Sequence, residues 1–334
     1  MSHVKTILPT MHLMVDALCA CCVCLLAAHF GVENVLALYI TYNVAAFLTQ
    51  PLTGLVADRM PSYSFAFAFC IMLTACVTAL ALGIQLIDCG NSMILHCMVA
   101  VLGLGNSCFH VWAGRQTTLR TNNDIRWLGV FVSTGAVGLS IGTICSSWLM
   151  AWILLLSIIS LTMLFVNYEN HVPLQREESN TPLHTILNDS MTGNRHAAVK
   201  VGAALVCILI LALMAMVSVR SMAGSMLSHS LTQVKGMVLM AGIITMAGKV
   251  AGGWIARSIG LMTTLFLAVA VTALCMVFCK ESTVASAVGL FAINCTMPLT
   301  LYLINVVMQG REALAFGLLA ASLMPAYFIS IDAI

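Results

Sequence analysis

Apolar runs of about twenty residues recur from one end of this sequence to the other, and the breaks between them are short clusters of charge, Pro, Asn or Gly. A run of that length crosses the hydrocarbon of a bilayer as a helix, because in lipid every backbone N–H and C=O has to be satisfied within the segment. Composition agrees: 61% of the 334 residues are hydrophobic and 8% are charged. A soluble core of this size carries about a quarter charged residues, so a single soluble domain is excluded and an all-α, polytopic membrane protein is expected. A net charge of +2, with Lys and Arg scattered in short clusters, gives no footprint for nucleic acid.

Cutting at the interruptions predicts eleven spans: Ile7 to Ala28, Val35 to Ala57, Tyr63 to Ile87, Met93 to Gly114, Trp127 to Ser147, Trp148 to Phe165, Val201 to Met222, Val234 to Ala256, Leu261 to Phe278, Val284 to Met308 and Ala313 to Ile331. With Lys5 and the N-terminus cytoplasmic, the inside loops hold Arg59, then Arg115, Arg120 and Arg126, then Arg176, Arg195 and Lys200, then Arg257, then Arg311; outside there is little beyond Lys280. The first run carries His12 and Asp16 and lacks a small-residue cleavage site, so it reads as a retained span. The polar stretch 167–198 divides the chain into an N-terminal six-helix bundle, 1–166, and a C-terminal bundle of five helices, 199–334. PLTGLVADRM at Pro51 to Met60 is echoed by GKVAGGWIARSIG at Gly248 to Gly260, which sets Gly54 and Gly253 at matching points of the two halves.

Polar residues inside the runs are the candidates for chemistry, since lipid penalises them. His12 and Asp16 are four apart and share a helix face, with Asp16 roughly 14 Å into the membrane at 1.5 Å per residue. They read either as a proton-coupling pair or, for Asp16, as a hydrogen-bonding partner of a neighbouring span. In LGLGNSCFHVWAGRQTTLR, Gly103, Asn106, His110 and Gly114 fall on one small, polar face. With the fourth span ending at Gly114, His110 is expected toward the cytoplasmic side, as inner wall of a path rather than its centre. Arg115 serves either as an interfacial residue reaching water or as a gate residue near Asp58. Arg220 either snorkels from the end of the seventh span or, if the helix continues through Ser225 to Ser228, faces the path and favours an anion. Asn43, Gln50, Asn294 and Asn305 complete the set, and Asn294 with Pro298 is expected to bend the tenth span.

The fourteen Cys lie almost all inside apolar runs and read as packing residues. No phosphate loop, nucleophile motif or Cys/His set with zinc spacing is present, so neither a cofactor, a metal nor enzymatic activity is expected.

Gly54, Asp58 and Arg59 match the G-x-x-x-D-R turn of the major facilitator superfamily, with Gly253 and Gly260 as the weaker second copy, and the chain resembles that superfamily over almost its whole length. GLGNSCFH at Gly103 to His110, Arg115, the His12 and Asp16 pair, NCTMPLTLYL and AFGLLAASL make it most similar to the fosmidomycin-resistance group. The resemblance implies a two-bundle fold of twelve spans, of which eleven are read here, six plus five with the twelfth apparently missing. It implies a monomeric secondary transporter of the cell membrane, an antiporter exporting a small organic compound, anionic or not, or an antibiotic by alternating access against protons. Asp16 and His12 would couple protons, His110, Asn106, Asn43, Arg220 and Asn294 would line the path, and Gly54, Asp58, Arg59 and Arg115 would gate it. A chain one span short is alternatively a truncated, non-transporting membrane protein that binds a ligand or partner. Val99 stands where many drug/proton antiporters carry a buried Arg, and Arg257 where an Asp is expected in the second turn.

Overall fold

The structure, a computed structural model, describes residues 3–86, 92–172, 174, 195–233, 236–278 and 282–325. The described chain is helical throughout: α1 Val4–Phe30, α2 Val32–Asn43, a π-turn Val44–Leu48, α3 Gln50–Ala57, α4 Ser62–Leu86, α5 Ser92–Arg120, α6 Ile125–Ile144 and α7 Trp148–His171. After the polar stretch follow α8 Arg195–Thr232, α9 Val238–Ile259, α10 Leu261–Phe278, α11 Thr283–Asn294, α12 Met297–Val307 and α13 Glu312–Ala321. Among the described residues nine helical segments are long and apolar enough to cross a membrane, α11 and α12 counting as one. The second span, interrupted by the π-turn, and the shorter α13 complete the expected order.

Local chemistry sets the corners. Gly31, Gly260 and Gly310, with φ of +80°, +94° and +79°, turn the chain between consecutive helices where a side chain would be strained. Asn122 and Asn123 take the left-handed conformation after α5, at φ of 52° and 53°. Asp124 then caps α6, its side chain accepting from the Arg126 N–H at 3.0 Å. Ser147 and Ser282 cap α7 and α11 in the same way. The bend expected at Asn294 and Pro298 is the break between α11 and α12, where Pro298 occupies the first turn of the new helix.

Three boundaries differ from the reading of the sequence. α5 runs past Gly114 to Arg120 because Thr117, Thr118 and Thr121 bond back to the carbonyls of Ala113, Gly114 and Thr117, keeping polar residues inside the helix. α7 runs on through Asn167 to His171, and Glu169, read as part of the linker, pairs with Arg120 at 3.2 Å. The Ser62 hydroxyl donates to Glu169 and accepts from Trp112 and Gln116, so this cluster ties α4, α5 and α7 together. α8 is 38 residues long and begins within the polar stretch. The rest of that stretch, with Arg176, Glu177, Glu178 and Asp189, and Lys280 as well, lies outside the described residues, as does the end of the eleventh span.

Two groups of helices result. In the first, α1 packs on α5, α6 and α7, and α4 on α5 and α7, around buried Phe69, Phe109, Trp112, Phe131 and Phe165. Gly138 and Gly142 let α6 lie against the α1 backbone at Leu13 and Ala17, and Gly135 makes room for the His12 and Asp16 side chains. In the second, α11 packs on α8, α9 and α10 around a smaller core of Ala223, Leu227, Leu231, Ala241, Leu290 and Ile293. The groups meet along two seams, α6 on α9 and α3 on α13, with α5 and α12 crossing between them.

Candidate functional site

Both seams rest on glycines that bring backbones together. On the α3–α13 seam a Cβ on Gly54 would stand 2.5 Å from the Ala313 carbonyl oxygen, and one on Gly317 would stand 2.6 Å from the Gln50 carbonyl carbon. The Asp58 carboxylate, just past α3, accepts from the Ala313 and Leu314 N–H groups at 3.0 Å each. A residue of one half thereby caps a helix of the other, where the helix dipole favours negative charge. Arg115 supports this carboxylate by donating to the Ala57 carbonyl at 3.0 Å and lying 3.6 Å from Asp58. Arg59 is exposed. Asn305 of α12 adds a further tie, donating to Thr118 and Asn123 at 3.0 and 3.1 Å.

The α6–α9 seam repeats this plan with the charges rearranged. Gly253, the counterpart of Gly54, lies against Ile125, with a Cβ there 2.7 Å from the carbonyl oxygen. Here α6 is capped by its own Asp124, whose carboxyl is held below its ordinary value chiefly by the hydrogen bond from the Arg126 side chain. Arg257 adds a favourable charge at a distance, which accounts for a cation where the first turn has an acid. The seam continues through Gly129 on Lys249 to Ser140, which donates to the Val238 carbonyl at 3.2 Å.

Between the halves lies a cavity of about 580 Å³. It reaches from Gln50, Leu301 and Phe316, next to the sealed α3–α13 end, toward Val23, Thr143 and Thr232 at the far end of the bundle. His12, Asp16, His110, Asn106 and Asn43 line it from the first half, and Arg220, Lys249, Asn294 and Met297 from the second.

The first half contributes a buried cluster. His12 and Asp16, one turn apart on α1, lie 3.3 Å from each other, and His110 of α5 reaches both, with its Nε2 3.4 Å from Asp16 and 3.0 Å from the His12 Nε2. Each ring is oriented from behind: His12 Nδ1 lies 2.7 Å from the Phe131 carbonyl and His110 Nδ1 2.9 Å from that of Asn106. Asn106 also donates to the Tyr42 hydroxyl at 3.0 Å. The expectation that His110 stands apart near the cytoplasmic end is corrected, because α5 extends well beyond it and brings it level with Asp16. The polar face of α5 is divided in use: Gly103 admits the Tyr42 carbonyl, Gly114 admits the Phe316 ring, and Asn106 and His110 look into the cavity.

The second half contributes cations. α8 continues through Ser225 and Ser228, and Arg220 lies buried on the cavity wall with a contact to the Met297 sulfur. Its Nε has no hydrogen-bond partner among the described residues. Lys249, in the middle of α9, donates to the Val132 carbonyl at 3.0 Å, one of the three bonds an ammonium can make. Sequence reasoning missed Lys249 by reading Gly248 to Gly260 only as a repeat; a Lys halfway along a 22-residue helix that is mostly apolar was the available signal. Asp16 is the sole acid among the described residues lining the cavity.

No protein-family model matches the sequence, and no curated protein matches it. Solved structures do. The chain is similar to the E. coli fucose:proton symporter FucP, at 11% identity and a TM-score of 0.63 over 98% of this chain and 89% of that one. It is similar to a bacterial homologue of the iron transporter ferroportin in an outward-facing state, at 14% identity and 0.62, covering 99% and 91%. A nucleoside transporter, NupG, follows at 12% identity and 0.52, covering 98% and 92%. The chain shares the fold of these solved transporters, of which FucP is a major facilitator superfamily transporter. At such identities the likeness carries architecture alone, and residue roles rest on the site itself.

Proposed function

We propose that the chain is a secondary carrier that moves a small organic anion across a membrane by alternating access, coupled to protons held by Asp16, His12 and His110. The observation that carries this reading is the cavity between the two halves in which one wall holds a buried His–Asp–His cluster and the other holds Arg220 and Lys249 with unused donors. A buried guanidinium without an anionic partner is costly, and a carboxylate, phosphate or phosphonate in the cavity would supply that partner. The cluster places two imidazoles and a carboxylate within 3.4 Å of one another, groups able to hold a coupled proton.

Alternating access is supported by the division of contacts. The Asp58 end is sealed across the halves, and the cavity extends toward the opposite end. With the N-terminus cytoplasmic, as the Lys and Arg distribution favours, this is an outward-facing arrangement in the cell membrane. In this reading Gly54, Asp58 and Arg115 form the inner gate, the chain works as a monomer, and Asn106, Asn43 and Asn294 line the path. The resemblance of GLGNSCFH and its flanking residues to the fosmidomycin-resistance group favours export.

Purified protein in proteoliposomes tests the coupling. An imposed pH gradient should drive uptake of an organic anion in wild type and fail to do so in Asp16→Asn, with counterflow exchange of the anion retained. An Asp16→Asn carrier that still follows the gradient as wild type does would overturn the proposal.

A further inference from the structure

The two imidazoles of the cluster are oriented in a way that fixes their hydrogens. A backbone carbonyl can only accept, so His12 Nδ1, against Phe131, and His110 Nδ1, against Asn106, both carry N–H. Both Nε2 atoms then point inward, 3.0 Å from each other and 3.3 and 3.4 Å from the two oxygens of Asp16. Two imidazole lone pairs and a carboxylate facing one another at these distances need a cation among them.

A proton is one such cation. The geometry points to a second, and we propose that His12, His110 and Asp16 form a binding site for a divalent transition-metal ion of the Zn2+ class. Ligands about 2.0–2.1 Å from a tetrahedral Zn2+ stand about 3.3 Å apart. The His12–His110 contact of 3.0 Å and the 3.3 Å from His12 to one Asp16 oxygen lie close to those edges, and the second Asp16 oxygen, 3.4 Å from His110, is the alternative ligand atom. Two imidazoles and one carboxylate suit Zn2+, Co2+ or Fe2+ rather than Mg2+ or Ca2+. The Nδ1–H groups held by backbone carbonyls are the outer support that histidine ligands of metals ordinarily have. A fourth position faces the cavity, because all three residues line it. Gly135 completes the site from α6, since a Cβ there would stand 2.6 Å from the His12 Nε2 and close it.

The spacing rules for metal motifs overlook this set because His12 and His110 are 98 residues apart and meet only through the packing of α1 on α5. Lys249 shares the cavity and its charge opposes a second cation, so affinity is moderated rather than abolished. Metal and proton compete for one place, since both use the same Nε2 lone pairs and carboxylate.

Co2+ titration of the purified full-length chain in detergent, followed by visible absorption, tests the site. One Co2+ per chain with the intense bands of four-coordinate geometry is expected, lost on addition of Zn2+. His110→Gln should weaken binding more than tenfold, and Lys249→Met should tighten it severalfold, a gain that misfolding cannot produce. Absence of the bands, or equal affinity in wild type and His110→Gln, would overturn the proposal. The site stands on the cluster geometry alone: a chain that transports an anion and binds no Co2+ removes the metal and leaves the carrier reading intact.

Discussion

The carboxylate of Asp58 and the backbone amide of Ala313 lie 3.0 Å apart across the boundary between the two halves, and the second carboxylate oxygen takes the Leu314 amide at the same distance. A side chain is here performing for a distant helix the capping that is usually done by the residue preceding it. Arg311, which precedes α13, makes no such bond.

Removing that cap should loosen the seam without unfolding either half. Asp58→Ala leaves two amides without an acceptor, a loss of about 1–2 kcal/mol for a cap. Hydrogen exchange of the Ala313 and Leu314 amides should accelerate roughly 5- to 30-fold. Exchange in the middle of α1 serves as reference and should not change.

Glycines at the seam and in the cavity should answer oppositely to one methyl group. Gly54→Ala would press a Cβ to 2.5 Å from the Ala313 oxygen and 2.9 Å from the Leu314 Cα, both backbone atoms that cannot swing aside. A cost of about 1–3 kcal/mol follows. Gly224, inside α8, has open space around it, so Gly224→Ala should stabilise by about 0.5–1 kcal/mol. Thermal melts of the two variants in one detergent should move to opposite sides of wild type.

Arg220→Met should separate stability from function. The substitution removes a buried guanidinium whose Nε is unsatisfied, so the melting temperature should rise. Anion binding should fall by about 2–5 kcal/mol, at least roughly thirtyfold, as for loss of one partner of a buried charge pair. Arg220→Lys should not restore it, because a single ammonium cannot present the fork. A variant that melts lower and binds normally would contradict both expectations.

Acid should act late on the start of α6. The Asp124 carboxyl lies below its ordinary value through its bonds from Arg126, so its contribution is complete above the ordinary carboxylate range and fades only as pH falls through the depressed folded value. Exchange protection of the first turn of α6 should therefore hold between neutral pH and mild acid. In Asp124→Asn that protection should be weaker at neutral pH and lack the late acid loss.

Much of the architecture was legible because lipid enforces it. The limits of α10, Leu261–Phe278, coincide with the apolar run that follows Gly260. The break after Asn294 was readable from Pro298. Helix ends in the polar zone were harder: α5 and α7 extend where Thr back-bonds and the Arg120–Glu169 pair hold them, and neither leaves a hydropathy signal. The π-turn at Val44–Leu48 has no local marker, Gly or Pro, within it.

The chemical residues were mostly visible one by one, and their association was not. His12 with Asp16 follows from a spacing of four. That His110 joins them depends on the rotation of α5 about its axis and its height against α1, which periodicity leaves open. Arg220 shows the same limit, because its two readings differ only in whether α8 continues to Thr232.

The two seams differ in a way that bears on movement. The α6–α9 contact runs from Ile125 and Gly253 to Ser140 and Val238, nearly the length of both helices, whereas the α3–α13 seam is pinned around Gly54, Gly317 and Asp58 at one end. The halves thus resemble covers joined along a spine on one side and fastened by a clasp on the other. The polar part of the clasp is the two bonds to the Asp58 carboxylate and the two that Asn305 donates, few enough that its release is a small step for a protein of this size.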